Sequence, residues 1–169
     1  MPTDDEDRAA ILAVHRSWWA ANYKWDIPLM RGCFPSGTAF LNFNLSGDPY
    51  FGREELTAFW EWFKNIPRPV PAVMHIWRLD VHGDMAYLLC EGNFETVAKP
   101  DQYLRSTEIY IRDDGDGNPE WKMWHFHCSE MAPMDKVRQP FGDTYASRGV
   151  GYLPPEFGKS FSVTNDQAH

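Results

Sequence analysis

The run Trp121-Lys-Met-Trp-His-Phe-His-Cys-Ser129 carries two histidines one residue apart. As a strand it would turn His125 and His127 to one side, and Trp124, Phe126 and Cys128 to the other, because successive side chains alternate faces. Two imidazoles so placed can supply two metal ligands. A third ligand at usable spacing is not evident, so no metal site is assigned. Cys128 is a possible nucleophile, but nothing in the sequence obviously lowers its pKa, and packing is the favoured reading. There is no glycine-rich phosphate loop, no GxSxG and no GKS/T. Nucleotide use and α/β-hydrolase chemistry therefore find no support.

The elements that must position such groups fit one domain, since 169 residues allow a full core but would crowd two. A formal net charge of −8 without a Lys/Arg cluster argues against nucleic-acid and anionic-membrane partners, which need a basic surface. The acidic N-terminus lacks the pattern of a signal peptide, and no apolar run is long enough to span a bilayer. Three scattered cysteines without a CxxC imply reduced thiols and a cytoplasmic location. The eight tryptophans suggest an aromatic-lined pocket, a subunit interface or a Trp-rich core.

Along the chain, Thr3-Asp4-Asp5-Glu6 reads as a capping box opening a helix. Ile11, Leu12, His15, Trp18, Trp19 and Asn22 then form one buried stripe at helical spacing. Asp26 to Gly32 is a short second helix, with Pro28 in its first turn. Thr38 to Asn44 is a short strand and Leu45 to Tyr50 a turn-rich loop. A third helix runs from Gly52 to about Asn65, crowded by Phe59, Trp60, Trp62 and Phe63, and Pro67 to Pro71 is a breaker. Strands follow at Val73 to His82, Met85 to Val97 and Tyr103 to Arg112, with a hairpin loop at Asp113 to Gly117 and the opening run as the closing strand. Residues 133–169 are rich in Pro, Gly and aromatics and read as an irregular arm, not a separate domain, packing on the body or on a neighbouring subunit. The layout is α+β, with helices on one face of a curved antiparallel sheet.

Within this order, Cys33-Phe-Pro-Ser-Gly-Thr-Ala-Phe40, Gly52-Arg-Glu-Glu-Leu56, His82-Gly-Asp-Met-Ala86 and the closing run resemble the nuclear transport factor 2-like superfamily. The similarity is to its SnoaL-like group and to the association domain of calcium/calmodulin-dependent protein kinase. It covers roughly residues 5–132. It implies a cone-shaped sheet wrapped by three N-terminal helices, acid–base chemistry without a cofactor or metal, and a homodimer or higher homo-oligomer formed through the sheet. The superfamily also holds non-enzymatic hubs, so fold does not decide function.

The isomerase of this superfamily has its general base at about Asn42 here, where an amide cannot abstract a proton. Its oxyanion-hole acid falls at Glu108 and its helix tyrosine near His15. The resemblance also turns Leu104, Ser106, Glu108 and Tyr110 inward, together with Trp124, Phe126 and Cys128, His75 and Trp77, and Tyr87, Leu89, Glu91 and Asn93. Two carboxyls in an apolar cone, Glu91 and Glu108, would be pushed apart in pKa and could divide acid and base roles. His75 could shuttle a proton, with His15 a further candidate. Trp18, Trp19, Tyr23, Lys24, Asn42, Trp62, Tyr110, Trp124 and Phe126 are the expected substrate contacts. Arg105 and His127 belong to the opposite face, which a β-bulge would exchange with the first.

Two readings follow. One is a cofactor-independent lyase, isomerase or dehydratase for a small aromatic or polycyclic substrate, such as a lignin-derived diaryl compound or a polyketide. The other is a non-enzymatic ligand-binding or oligomerisation hub.

Overall fold

A computed structural model describes residues 3–45, 47–100 and 102–130, and the backbone of 159–162. Helix α1 (Asp4–Lys24) opens on the expected capping box: Glu6 N donates to Thr3 Oγ1 (3.3 Å) and Thr3 N donates to Glu6 Oε2 (2.7 Å). Ile11, His15, Trp18, Trp19 and Asn22 are all buried on its inner stripe. The helix stops at Trp25, whose φ of 55° is left-handed. In α2 (Ile27–Gly32), Asp26 caps the start by accepting from Leu29 N at 3.1 Å. Helix α3 (Gly52–Phe63) buries Leu56 and Trp60, four residues apart on one face. Among the described residues, no helix is long and apolar enough to cross a membrane.

The sheet contains β1 (Leu41–Phe43), β2 (Pro49–Phe51), β3 (Val73–His82), β4 (Met85–Asn93), β5 (Tyr103–Arg112), β6 (Trp121–Glu130) and β7 (Lys159–Ser162). Their order across it is β2-β1-β6-β5-β4-β3-β7. The sheet is curved and mixed rather than antiparallel throughout, because β1 runs parallel to β6. The segment expected to be a turn-rich loop, Leu45 to Tyr50, runs at its end into β2, which folds back antiparallel on β1. From the expected C-terminal arm, β7 adds antiparallel to the edge of β3. The remainder of 133–169 lies outside the described residues.

Helix α1 lies across one face of the sheet, touching β3 and β6, and strand parity decides what it meets. On β5 the inward residues are Leu104, Ser106, Glu108 and Tyr110, as expected. On β4 they are Ala86, Leu88, Cys90 and Gly92, not Tyr87, Leu89, Glu91 and Asn93. Register explains the correction: Leu88 sits opposite Glu108 and Cys90 opposite Ser106, and residues paired across antiparallel strands share a face. On β3 the buried residues are Met74, Ile76 and Leu79, so His75 and Trp77 are turned outward. A register shift between Ile76 and Arg78 leaves Trp77 unpaired and returns Leu79 to the core.

A second bulge reshapes β6. Ile109 pairs with His125 but Tyr110 pairs with Met123, which leaves Trp124 outside the ladder. Trp121 and Met123 therefore join the core, while Trp124 turns away and donates its Nε1–H to Asp113 O at 2.8 Å. Phe126 and Cys128 remain inward. The bulge exchanges Trp124 for Met123 and does not bring His125 or His127 inside.

Asp7 ties α1 to this sheet, accepting from Trp121 Nε1 (3.0 Å) and Arg112 Nη2 (2.5 Å). The Trp121 hydrogen bond, with help from Arg112, holds its carboxyl below the ordinary 3.8. A depressed folded pKa stabilises the protein above the unfolded value, and the benefit is lost as pH falls through the folded value. Asp7→Asn should therefore be less stable than wild type in urea unfolding at pH 7. The gap should close on acidification below pH 3.8; a gap that persists at the acid end would show that the charge is not its source.

Candidate active site

Glu108 has no solvent exposure. Burying a carboxyl among apolar groups is tolerable only when donors replace water, and five side chains surround this one. Oε2 accepts from Tyr110 OH at 2.5 Å and lies 2.7 Å from His15 Nδ1. Oε1 accepts from Trp19 Nε1 at 3.1 Å, Ser106 Oγ at 3.4 Å and Cys90 Sγ at 3.7 Å. The fold assembles this set simply. His15 and Trp19 are one helical turn apart on α1, Ser106 and Tyr110 flank Glu108 on one face of β5, and Cys90 comes from the neighbouring strand. Burial, and then the charge of Glu108, pushes Cys90 and Tyr110 well above their ordinary pKa values. Both keep their protons and act as donors.

Beside this cluster is a cavity of about 300 Å³, at the small end of the range for ligand sites. Trp18, Trp60 and Phe126 form its rigid wall; Trp18 meets Trp60 at 5.5 Å and Phe126 at 5.4 Å between ring centroids. Phe59 and Phe63 of α3, and Phe94 beyond β4, extend the aromatic lining. Trp18 Nε1, Asn22 Oδ1 and Asn42 Oδ1 also belong to lining residues, are buried, and make no hydrogen bond among the described residues. Such atoms carry a desolvation cost that a ligand's polar groups can relieve. Cys128 lines the wall too, with its thiol pushed up to about 12 by burial, which rules against a ready thiolate.

Trp19 belongs to both places. Its ring lines the cavity and its Nε1–H bonds Glu108. Glu108, His15 and Tyr110 themselves stand behind the wall rather than on it.

Residues 11–134 match the family model of the SnoaL-like domain. The chain belongs to the SnoaL-like domain family. Solved structures agree on the SnoaL-like fold. A candidate dehydratase of the NTF2-like family from Streptomyces avermitilis is 18% identical with a TM-score of 0.62, the match covering 78% of this chain and 100% of that one. A ketosteroid isomerase-like protein from Erwinia carotovora atroseptica is 15% identical with a TM-score of 0.61, covering 76% and 99%. A candidate calcium/calmodulin-dependent protein kinase type II association domain from Thiobacillus denitrificans is 16% identical with a TM-score of 0.57, covering 78% and 98%. No curated protein matches the chain.

Within the SnoaL-like fold, the expected site residues separate into two groups. Glu108, His15 and Tyr110 meet in the buried cluster, and Trp18, Trp19, Asn42 and Phe126 line the cavity. The others lie elsewhere. Glu91 is on the outer face, where Arg105 Nε donates to its Oε2 at 3.0 Å, so the two expected carboxyls point to opposite sides of the sheet. His75 is also outside, opposite Glu91 in register and 4.5 Å from the Trp77 ring. Trp62 is 86% exposed, because Phe59, Trp60 and Phe63 occupy the inward face of α3. Tyr23 is half-buried and Lys24 exposed, neither on the cavity wall; Trp25, one residue on, reaches the wall through its left-handed turn. Trp124 is excluded by the bulge.

His125 and His127 face outward against Phe43, and His125 Nδ1 donates to Leu41 O at 2.9 Å. Among the described residues, the group with ligand atoms close enough to hold a metal is instead His15, Cys90 and Glu108, whose atoms lie within 4.8 Å of one another. A metal there would have to displace the proton that burial keeps on Cys90. The contributors that escaped sequence reasoning include Cys90 and Ser106 as donors to Glu108, and Trp60, Phe94 and Arg68 on the cavity lining. No hydrophobic pattern along β4 marks Cys90, since the intervening Met85, Tyr87 and Leu89 are as apolar as Ala86, Leu88 and Cys90.

Proposed function

We propose that the protein is a cofactor-independent acid–base enzyme, a lyase, isomerase or dehydratase, acting on a small aromatic or polycyclic substrate held in the cavity. Trp19 carries this reading, because one side chain joins an apolar ring-binding cavity to a buried carboxyl. Oε2 of Glu108 holds the shorter contacts and Oε1 the longer ones. Oε1 is therefore the oxygen that a substrate hydroxyl takes over when Trp19 yields its hydrogen bond. Glu108 then accepts a substrate proton and returns it to the product, and His15, in contact with Oε2, shares the proton during the step. Trp18, Trp60 and Phe126 hold the rings. The names of the dehydratase and ketosteroid isomerase-like neighbours favour the same reaction classes. The reading places the protein in the cytoplasm as a homo-oligomer joined through the outer sheet face, where Phe43, His125 and His127 cluster.

One observation favours a second reading, a ligand-binding protein without turnover: the described cavity wall holds neither carboxylate nor histidine. Titration with methoxyphenols and diaryl diols, followed by Trp fluorescence and then by product analysis, separates the two. Quenching with product formation is the expected result. Quenching without product across the panel would favour the binding protein, and no quenching of a folded sample would remove the aromatic-cavity reading altogether.

A further inference from the structure

We infer that the substrate carries a carboxylate and that Arg68 is the group that holds it. This rests on the reading of the cavity as an aromatic-ligand site. Arg68 is the one charged residue among the described lining residues, so no carboxylate on that wall neutralises it. It makes no salt bridge with any described residue. Its side chain is clasped between two rings, with the guanidinium carbon 4.0 Å from the Phe94 centroid and 4.5 Å from the Trp25 centroid. Nε donates to Asn22 O at 3.1 Å. That bond uses one donor of the guanidinium fork and leaves the terminal nitrogens, with their four N–H groups, for a ligand.

The two ring faces attract the guanidinium, but taking a cation out of water with no counter-charge is unfavourable, and burial lowers the pKa of Arg68 to about 10. A ligand anion would relieve that cost. The chemistry favours carboxylate over phosphate. One planar fork matches two carboxylate oxygens, whereas the wall has no second cation to share a phosphate's charge. The ring clasp and the Nε anchor hold the fork in one orientation before a ligand arrives, so little side-chain freedom is lost on binding. The unbonded atoms of Trp18 and Asn42, on the same lining, remain for the ring's own polar substituents.

The test uses a matched pair, vanillate and vanillyl alcohol, titrated by Trp fluorescence into wild type, Arg68→Gln and Arg68→Lys. Wild type should bind vanillate at least about tenfold tighter, the scale of a charge-assisted hydrogen-bonded pair. Arg68→Gln should weaken vanillate alone and bring the two ligands within about twofold, while Arg68→Lys should recover part of the preference. Equal affinities in wild type would overturn the role of Arg68 and leave the aromatic cavity standing. So would an Arg68→Gln that weakens both ligands alike, since that is the result for a purely structural clasp. Binding of neither ligand to folded wild type would overturn the cavity reading and this inference together.

Discussion

Glu108→Gln should abolish turnover while ligand affinity stays within a few-fold of wild type. The substitution preserves shape and leaves a carbonyl oxygen to accept hydrogen bonds in the buried cluster. It removes the group able to take and return a proton. General acid–base catalysis is worth about 10²–10⁴-fold in rate, so kcat for whichever panel compound is converted should fall by at least about a hundredfold. KM should move little, because the aromatic wall holds the rings and the Gln carbonyl oxygen can still accept from the substrate hydroxyl. Steady-state kinetics with a parallel fluorescence titration would check both halves. Full activity in the variant would discard Glu108 as the catalytic residue. A loss of binding equal to the loss of rate would show instead that the cluster shapes the cavity.

The largest loss of stability should come from Trp18→Ala. Trp18 is buried and packs on Phe34, Trp60, Phe126 and Trp19, with centroid separations of 5.1, 5.5, 5.4 and 6.2 Å. Removing it takes one wall from the cavity and leaves four aromatic partners facing a void. Truncations of this kind cost about 3–5 kcal/mol. In a chain of this size each kcal/mol is worth about 2–4 °C in Tm, so Tm should fall by roughly 6–20 °C. Trp18→Phe should lose much less. Urea and thermal unfolding would measure both. A loss under about 1 kcal/mol for the alanine variant would mean that Trp60 and Phe126 close over the gap, a degree of collapse that sets the spread among core truncations.

These two residues also show how unevenly the chain could be read in advance. The α1 stripe was legible because a helix repeats every 3.6 residues, so His15, Trp18, Trp19 and Asn22 declare a shared face before any partner is known. Parity along a strand is equally legible. Which face meets the helices is not, because a shift of one residue exchanges the whole set. Glu108 and Tyr110 fell on the inner side as expected, yet Glu91 and His75 went to the outer side. The β4–β5 register and the bulge at Trp77 decided that. Trp124 was lost to a second bulge that no local signal marks. Arg68 went unnoticed because a proline-rich breaker says where a helix stops and nothing about the rings that will close on the side chain.

By itself, the sequence determined the α+β order, the extents of β3 and β5, the capping box on α1 and the family. Each is carried by local periodicity, turn chemistry or motif. Only the tertiary structure decided which carboxyl is sealed with a histidine, that Trp19 divides that pair from the cavity, and that a lone guanidinium stands on the wall. Those facts depend on register and on residues up to 93 positions apart, and long-range pairing leaves no mark in the local pattern from which a sequence is read.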